Sequence, residues 1–370
     1  MSEAVLLFAG QGAQCVGMGK DLGEAYPAAA TLFEKADAVL GRSLSSVMFE
    51  GPEEDLTKTA NCQPALFVHG LALLEVLQAA VTGLKPVAAA GLSLGELTAH
   101  AAAGTFEFEE GLRLVAARGA LMDEACSATD GAMAAMIGGD AEAVRKLAAA
   151  CGVEVANFNC PGQIVVSGTN AGIDEAVAKA KECGIRMARK LKVAGAYHSR
   201  LMAAAQEKFG VALGEVEVGT PQIPVICNFS AEGVNEPEQI RETLTRQVTG
   251  SVRWEESMRL LLERGHKLFI ELGPGKVLSG LMGRIDKSVE VLAVEWGRAE
   301  GPVRVCWAPR PPRAPSTAAA PPERGNEASE TVANLPPELW VHSIALLGPV
   351  EALKPTLTPG RVNNKEGALP

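Results

Sequence analysis

Apolar residues gather in five short runs along the chain: Val5 to Phe8, Val87 to Ala90, Ile223 to Cys227, Leu268 to Glu271 and Val289 to Val294, with Gly or Pro close by. Runs without polar alternation predict strands covered on both faces. Between them, Gln63 to Leu84 and Phe108 to Ala125 repeat apolar residues at three- and four-residue steps, which is the period of an amphipathic helix. Strands alternating with helices predict an α/β fold whose large domain is a mainly parallel sheet covered by helices.

The rhythm changes between residues 127 and 193. An apolar run (Met133 to Ile137), a helix (Glu142 to Ala150), two strands (Val153 to Phe158, Gln163 to Ser167), a helix (Ile173 to Cys183) and a strand (Ile185 to Val193) follow in turn. The order βαββαβ predicts a ferredoxin-like small domain inserted into the larger one. The predicted organisation is therefore residues 1–126 and 194–295 as the two parts of the large domain, and 127–193 as the insert. After residue 295 more than half of the prolines and all but one of the tryptophans crowd into the last stretch, and the strand-helix rhythm stops. Residues 296–370 read as a Pro-rich tail outside the fold.

With 370 residues, 47% of them hydrophobic, the chain can bury a large core unaided. A formal charge of -10 argues against a nucleic-acid surface, which needs clustered Lys and Arg. Eight cysteines at irregular spacing, with no Cys-x-x-Cys pair, indicate neither a disulfide framework nor a zinc site. The start lacks the basic and long apolar segments of a signal peptide, and no other apolar run suggests a bilayer span. A cytoplasmic protein is expected.

The sharpest chemical signal is Gly91-Leu92-Ser93-Leu94-Gly95, placed between a predicted strand and the helical Glu96 to Ala103. A serine on so tight a turn has its hydroxyl pushed out of the sheet, and the amide of Leu94 can donate to an oxyanion. Such a hydroxyl needs a base, and the chain has five histidines. His69 and His100 lie in apolar helical stretches, His266 in a charged turn and His342 in the tail. His198 remains, in the loop Ala194-Gly195-Ala196-Tyr197-His198-Ser199 where the insert returns to the large domain, though it could instead cap the helix starting near Ser199. Gly10-Gln11-Gly12-Ala13-Gln14 follows the first strand and reads as a second amide donor or a simple turn. Cys15 takes the place of a third glycine, so it is no dinucleotide fingerprint. Arg118, a single charge in an apolar helical stretch, suits a substrate carboxylate or an internal salt bridge.

Together these segments resemble the malonyl-CoA:acyl-carrier-protein transacylases of fatty-acid synthesis, relatives of the polyketide synthase acyltransferase domains. The markers run from about Glu3 to Val294: Phe8 to Gln14, Gly91 to Glu96, Arg118, Asn157 to Gln163, Tyr197-His198-Ser199, Gln247 ahead of Val252-Arg253-Trp254, and Glu271 to Leu278. The resemblance implies a hydrolase-like large domain, Ser93 as nucleophile, His198 as general base, and the amides of Gln11 and Leu94 as the oxyanion hole. It further implies that Arg118 holds the malonyl carboxylate, that Gln247 supports His198, and that Asn159 lies near the site. His198 would be oriented by a carbonyl rather than an Asp. Leu92 departs from the pattern, since many members carry His there.

The resemblance also implies a ping-pong transfer of malonyl from malonyl-CoA to acyl carrier protein, with no cofactor or metal. Carrier proteins are acidic, so Arg186, Arg189, Lys190 and Lys192, just ahead of His198, are candidates for docking the carrier or the coenzyme A phosphates, or else form a solvated strand edge. A serine hydrolase of acyl esters or thioesters, and a silent synthase scaffold, are the alternatives.

Overall fold

The structure is a computed structural model that describes residues 2–295 and 304–306. Its strands are β1 (Ser2–Phe8), β2 (Leu84–Gly91), β3 (Gly131–Ile137), β4 (Glu154–Cys160), β5 (Gln163–Thr169), β6 (Met187–Lys190), β7 (Val225–Ile226), β8 (Gly233–Val234), β9 (Leu268–Leu272), β10 (Glu290–Glu295) and β11 (Arg304–Cys306). Seven of them form one sheet in the order β11-β10-β9-β1-β2-β7-β8. The run from β10 to β7 is parallel, and the short strands β8 and β11 add antiparallel edges.

The unbroken apolar run of β1 follows from its central place. Successive side chains of a strand face opposite ways. Leu6 and Phe8 therefore enter one core with the helix Thr59–Ala80, while Val5 and Leu7 enter another with Trp254 and Met258. Apolar contacts cover both faces, so a ligand can be met only at the strand ends, and the carboxyl ends of β1, β2 and β7 are where such a fold places its site.

The remaining four strands form an antiparallel sheet in the order β4-β5-β3-β6. Helices Ala141–Ala150 and Asn170–Lys179 contribute Val144, Leu147, Ile173 and Ala176 to the core on one face. Met133, Ala156 and Val165 point the other way and join the core of the large sheet. Val252 exchanges backbone hydrogen bonds with β4, at 2.9 Å to the Phe158 amide and 2.8 Å to the Ala156 carbonyl. The two sheets thus share a core within one compact unit.

The strands expected over Ile223 to Cys227 and Ile185 to Val193 are shorter, Val225–Ile226 and Met187–Lys190, and three further features differ from the sequence expectation. The helix expected over Gln63 to Leu84 runs Thr59–Ala80, because Gly83 turns the chain with φ 86° and Leu84 opens β2. That helix has the length and apolarity of a membrane span, against the sequence expectation, but 78% of its most apolar window is buried inside the protein. Finally, Arg304–Cys306 pairs with the open edge of β10, so three residues of the Pro-rich tail extend the sheet. The rest of 296–370, including His342, lies outside the described residues.

Candidate active site

Ser93 stands between β2 and the helix Leu94–Ala102, with φ 55° and ψ -105°. The turn closes because its glycines lack side chains. A Cβ on Gly91 would lie 1.9 Å from the Gly95 carbonyl, and one on Gly95 would lie 2.2 Å from the Phe8 carbonyl oxygen. The loop after β1 is pressed onto the same turn, since a Cβ on Gly10 would meet the Leu92 carbonyl oxygen at 2.3 Å. Among the described residues only Ser93, His198 and Ala231 adopt a positive φ without being glycine. Two of these three strained residues are the pair whose side chains meet, and strain of this kind is held in place where chemistry needs it.

The Ser93 hydroxyl lies 2.8 Å from His198 Nε2. On the far side of the ring, Nδ1 faces two acceptors, the carbonyls of Gln247 at 2.9 Å and Gly250 at 3.1 Å. Carbonyls only accept, so Nδ1 carries the proton and Nε2 presents its lone pair to the hydroxyl. Burial lowers the His198 pKa to about 4, with the Arg118 charge adding to the effect and the two carbonyls opposing it. The imidazole is therefore neutral at ordinary pH, with its Nε2 lone pair free to accept a proton. His198 does not cap the following helix; the Ser199 hydroxyl does, accepting from the Leu201 amide at 3.2 Å.

Arg118 comes from the helix Phe108–Ala128 and is fully buried. Its Nη1 donates to Gln63 Oε1 at 2.7 Å, and Nη2 to Gln247 Oε1 at 2.8 Å and to the Ser93 hydroxyl at 3.2 Å. The internal salt bridge considered from sequence is absent: among the described ion pairs none involves Arg118. Its Nε is buried without a hydrogen-bond partner among the described residues. Burial lowers its pKa to about 10, while Glu96 holds it up, so the guanidinium stays charged.

Two amides hold the turn. Asn228, at the end of β7, accepts from the Ser93 amide at 2.6 Å and donates to the Gly91 carbonyl at 2.7 Å. Gln247 Nε2 donates to the Ser93 carbonyl at 2.9 Å and to Glu96 at 2.7 Å. Glu96 is fully buried, and burial raises its pKa to about 7.

Neither the Gln11 nor the Leu94 amide makes a backbone hydrogen bond among the described residues. Leu94 opens its helix, where an amide has no intrahelical acceptor. The Gln11 side chain reaches Thr59 Oγ1 at 3.4 Å, which in turn lies 2.6 Å from the Tyr197 hydroxyl. The loop is also a turn, closed by Ala13 N to Gly10 O at 3.3 Å.

The structure thus brings Ser93, His198, Arg118 and Gln247 into one hydrogen-bonded group. Asn159 sits outside it on β4, its Oδ1 buried and without a hydrogen-bond partner among the described residues. Arg186, Arg189, Lys190 and Lys192 are exposed on or beside β6, which among the described residues pairs only with β3. Gln63, Asn228 and Gly250 have no role in the sequence reading. Gln63 carries a signal, a polar residue in an apolar helix; Asn228 and Gly250 carry none.

A hydroxyl with an oriented base, two free amides and a buried cation are the parts a covalent acyl transfer requires. Similarity to known proteins agrees. The acyl transferase domain family matches residues 5–294. A malonyl CoA-acyl carrier protein transacylase of Bacillus subtilis (strain 168) is 44% identical, covering 80% of this chain and 94% of its own. An acyl carrier protein S-malonyltransferase from Vibrio cholerae superposes with a TM-score of 0.77 at 40% identity, covering 80% of this chain and 97% of its own. A malonyl-transacylase solved in complex with its type II PKS acyl-carrier protein gives 0.77 at 38% identity, covering 80% and 96%. The chain belongs to the acyl transferase domain family, in its malonyl-CoA:acyl-carrier-protein transacylase branch.

Proposed function

We propose that this protein transfers a malonyl group from malonyl-CoA to the phosphopantetheine thiol of acyl carrier protein through an acyl-serine, supplying fatty-acid chain elongation. One observation carries the choice of acyl group. A fully buried guanidinium that forms no ion pair among the described residues lies 3.2 Å from the Ser93 hydroxyl. A buried cation that touches no carboxylate favours an anionic ligand, and a malonyl terminus supplies one. A hydrolase of neutral esters has no use for that cation.

Ser93 Oγ attacks the thioester carbonyl as His198 Nε2 takes its proton. The oxyanion forms between the amides of Gln11 and Leu94. The tetrahedral intermediate expels coenzyme A, which receives the proton from His198. The carrier thiol then attacks the acyl-serine, again losing its proton to His198, and Ser93 is released with that proton. The two carbonyls on Nδ1 do the orienting that an Asp does in other triads.

The strand order β4-β5-β3-β6 with two helices on one face supports the ferredoxin-like reading of residues 127–193, set between the two parts of a hydrolase-like large domain. Arg186, Arg189, Lys190 and Lys192 form a basic edge suited to an acidic carrier. The setting is the cytoplasm, where malonyl-CoA and the carrier meet. Steady-state transfer with both substrates varied tests the function. Parallel double-reciprocal lines are expected; intersecting lines, or no transfer to the carrier, would overturn it.

A further inference from the structure

We propose that Glu96 is a positioning residue for this transfer: it fixes which way the Gln247 amide points, and so keeps the amide oxygen on Arg118. The inference rests on the malonyl-transfer reading above and names a further residue of the same site. Its basis is a set of directed hydrogen bonds. One oxygen of the Glu96 carboxyl, Oε2, accepts from Gln247 Nε2 at 2.7 Å and from the Asn228 amide at 2.8 Å. A side-chain amide has a donor end and an acceptor end, and its neighbours decide which faces Arg118, itself a donor only. Glu96 and the Ser93 carbonyl select together, since only the NH2 end of Gln247 satisfies both, and the bond to Glu96 is the shorter, at 2.7 Å against 2.9 Å. The oxygen is then left for Arg118 Nη2 at 2.8 Å.

The reverse orientation would aim an NH2 group at a buried guanidinium, donor against donor, and displace the cation that meets the substrate carboxylate. The same oxygen of Glu96, through Asn228, ties down the backbone beneath Ser93. Glu96 follows the nucleophilic turn within the first turn of the helix Leu94–Ala102, so its reach to both amides is built into the elbow.

Two near-isosteric variants separate reach from charge. Glu96→Gln keeps an amide oxygen at the same reach and loses the charge. Glu96→Asp keeps a carboxylate but draws it back by one carbon-carbon bond, about 1.5 Å. The readout is the ratio of kcat/KM for malonyl-CoA to that for acetyl-CoA, which a loss of folded enzyme leaves unchanged. Glu96→Gln is expected to keep the parent ratio within about threefold, and Glu96→Asp to lower it at least about tenfold with a higher KM for malonyl-CoA. A preserved ratio in Glu96→Asp, or a collapsed one in Glu96→Gln, overturns the proposal. Should Glu96→Asp fail to fold, the Glu96→Gln ratio decides by the same criterion. If the parent itself moves no malonyl, the functional reading fails instead.

Discussion

Arg118 donates through Nη1 to Gln63 Oε1 at 2.7 Å, so a buried cation is held by the oxygen of a neutral amide instead of a carboxylate. The amide orients the guanidinium without neutralising it, which leaves its charge for the malonyl carboxylate proposed above. Arg118→Ala is therefore expected to lower kcat/KM for malonyl-CoA by about 100-fold or more, while acetyl transfer survives or rises. Steady-state kinetics with both thioesters check it. Equal losses for the two would contradict the role.

The pH dependence of the rate follows from His198. With the imidazole pKa lowered to about 4 by burial and the Arg118 charge, the base is already neutral well below pH 6. The acid limb of kcat/KM is expected at about pH 4 to 5. A limb at the ordinary imidazole value of 6.5 would show that His198 is not the base, or is not held as described.

Stability has its own pH window. Burial also lowers His69 to about 4 and His100 to about 3. Between about pH 4 and 6.5 the unfolded chain binds protons on these imidazoles that the folded chain does not, so their effect makes stability rise with pH. Glu96 opposes it: raised to about 7, it keeps a proton in the folded state that the unfolded chain gives up above about 4.5. Three imidazoles outweigh one carboxyl, so the melting temperature should climb from pH 5 to 6.5. A flat or falling profile would contradict the burial of these groups.

The loop after β1 is fixed by contact at Gly10, where a Cβ would lie 2.3 Å from the Leu92 carbonyl oxygen. Gly10→Ala must push the loop and the Gln11 amide away from Ser93. A fall in kcat of about 10- to 100-fold is expected, with a much smaller change in KM. If kcat holds, the Gln11 amide is not an oxyanion donor.

The basic edge on β6 is tested by reversing Arg189 and Lys190 to Glu. Lys190 pairs with Asp174 at 2.7 Å, so its reversal removes an ion pair and sets two carboxylates face to face, but at 41% and 64% exposure solvent screens the repulsion and the structural cost is small. KM for the carrier is expected to rise about three- to tenfold while formation of the acyl-enzyme from malonyl-CoA is unaffected. An unchanged carrier KM removes these residues from docking.

Much of this is legible in the sequence because its signals are local. The runs that form β1, β2, β9 and β10 are apolar on both faces, the order of elements from β3 to β6 can be read directly, and Ser93 sits in a short motif between strand and helix. His198 emerges because only five histidines have to be sorted. What stays hidden depends on contacts between distant segments. Asn228 reaches the Ser93 amide only because β7 pairs beside β2, and β7 is just two residues long. The sharing of Met133 and Val165 with the larger core is equally invisible, since an alternating strand reads the same whichever core its second face meets.

The most direct measurement is the intact mass of the protein after brief exposure to malonyl-CoA, for the parent chain and for Ser93→Ala. A single malonyl adduct on the parent, absent from Ser93→Ala and discharged by holo acyl carrier protein, is the predicted result. An adduct that persists in Ser93→Ala, or that only water discharges, would contradict transfer through Ser93.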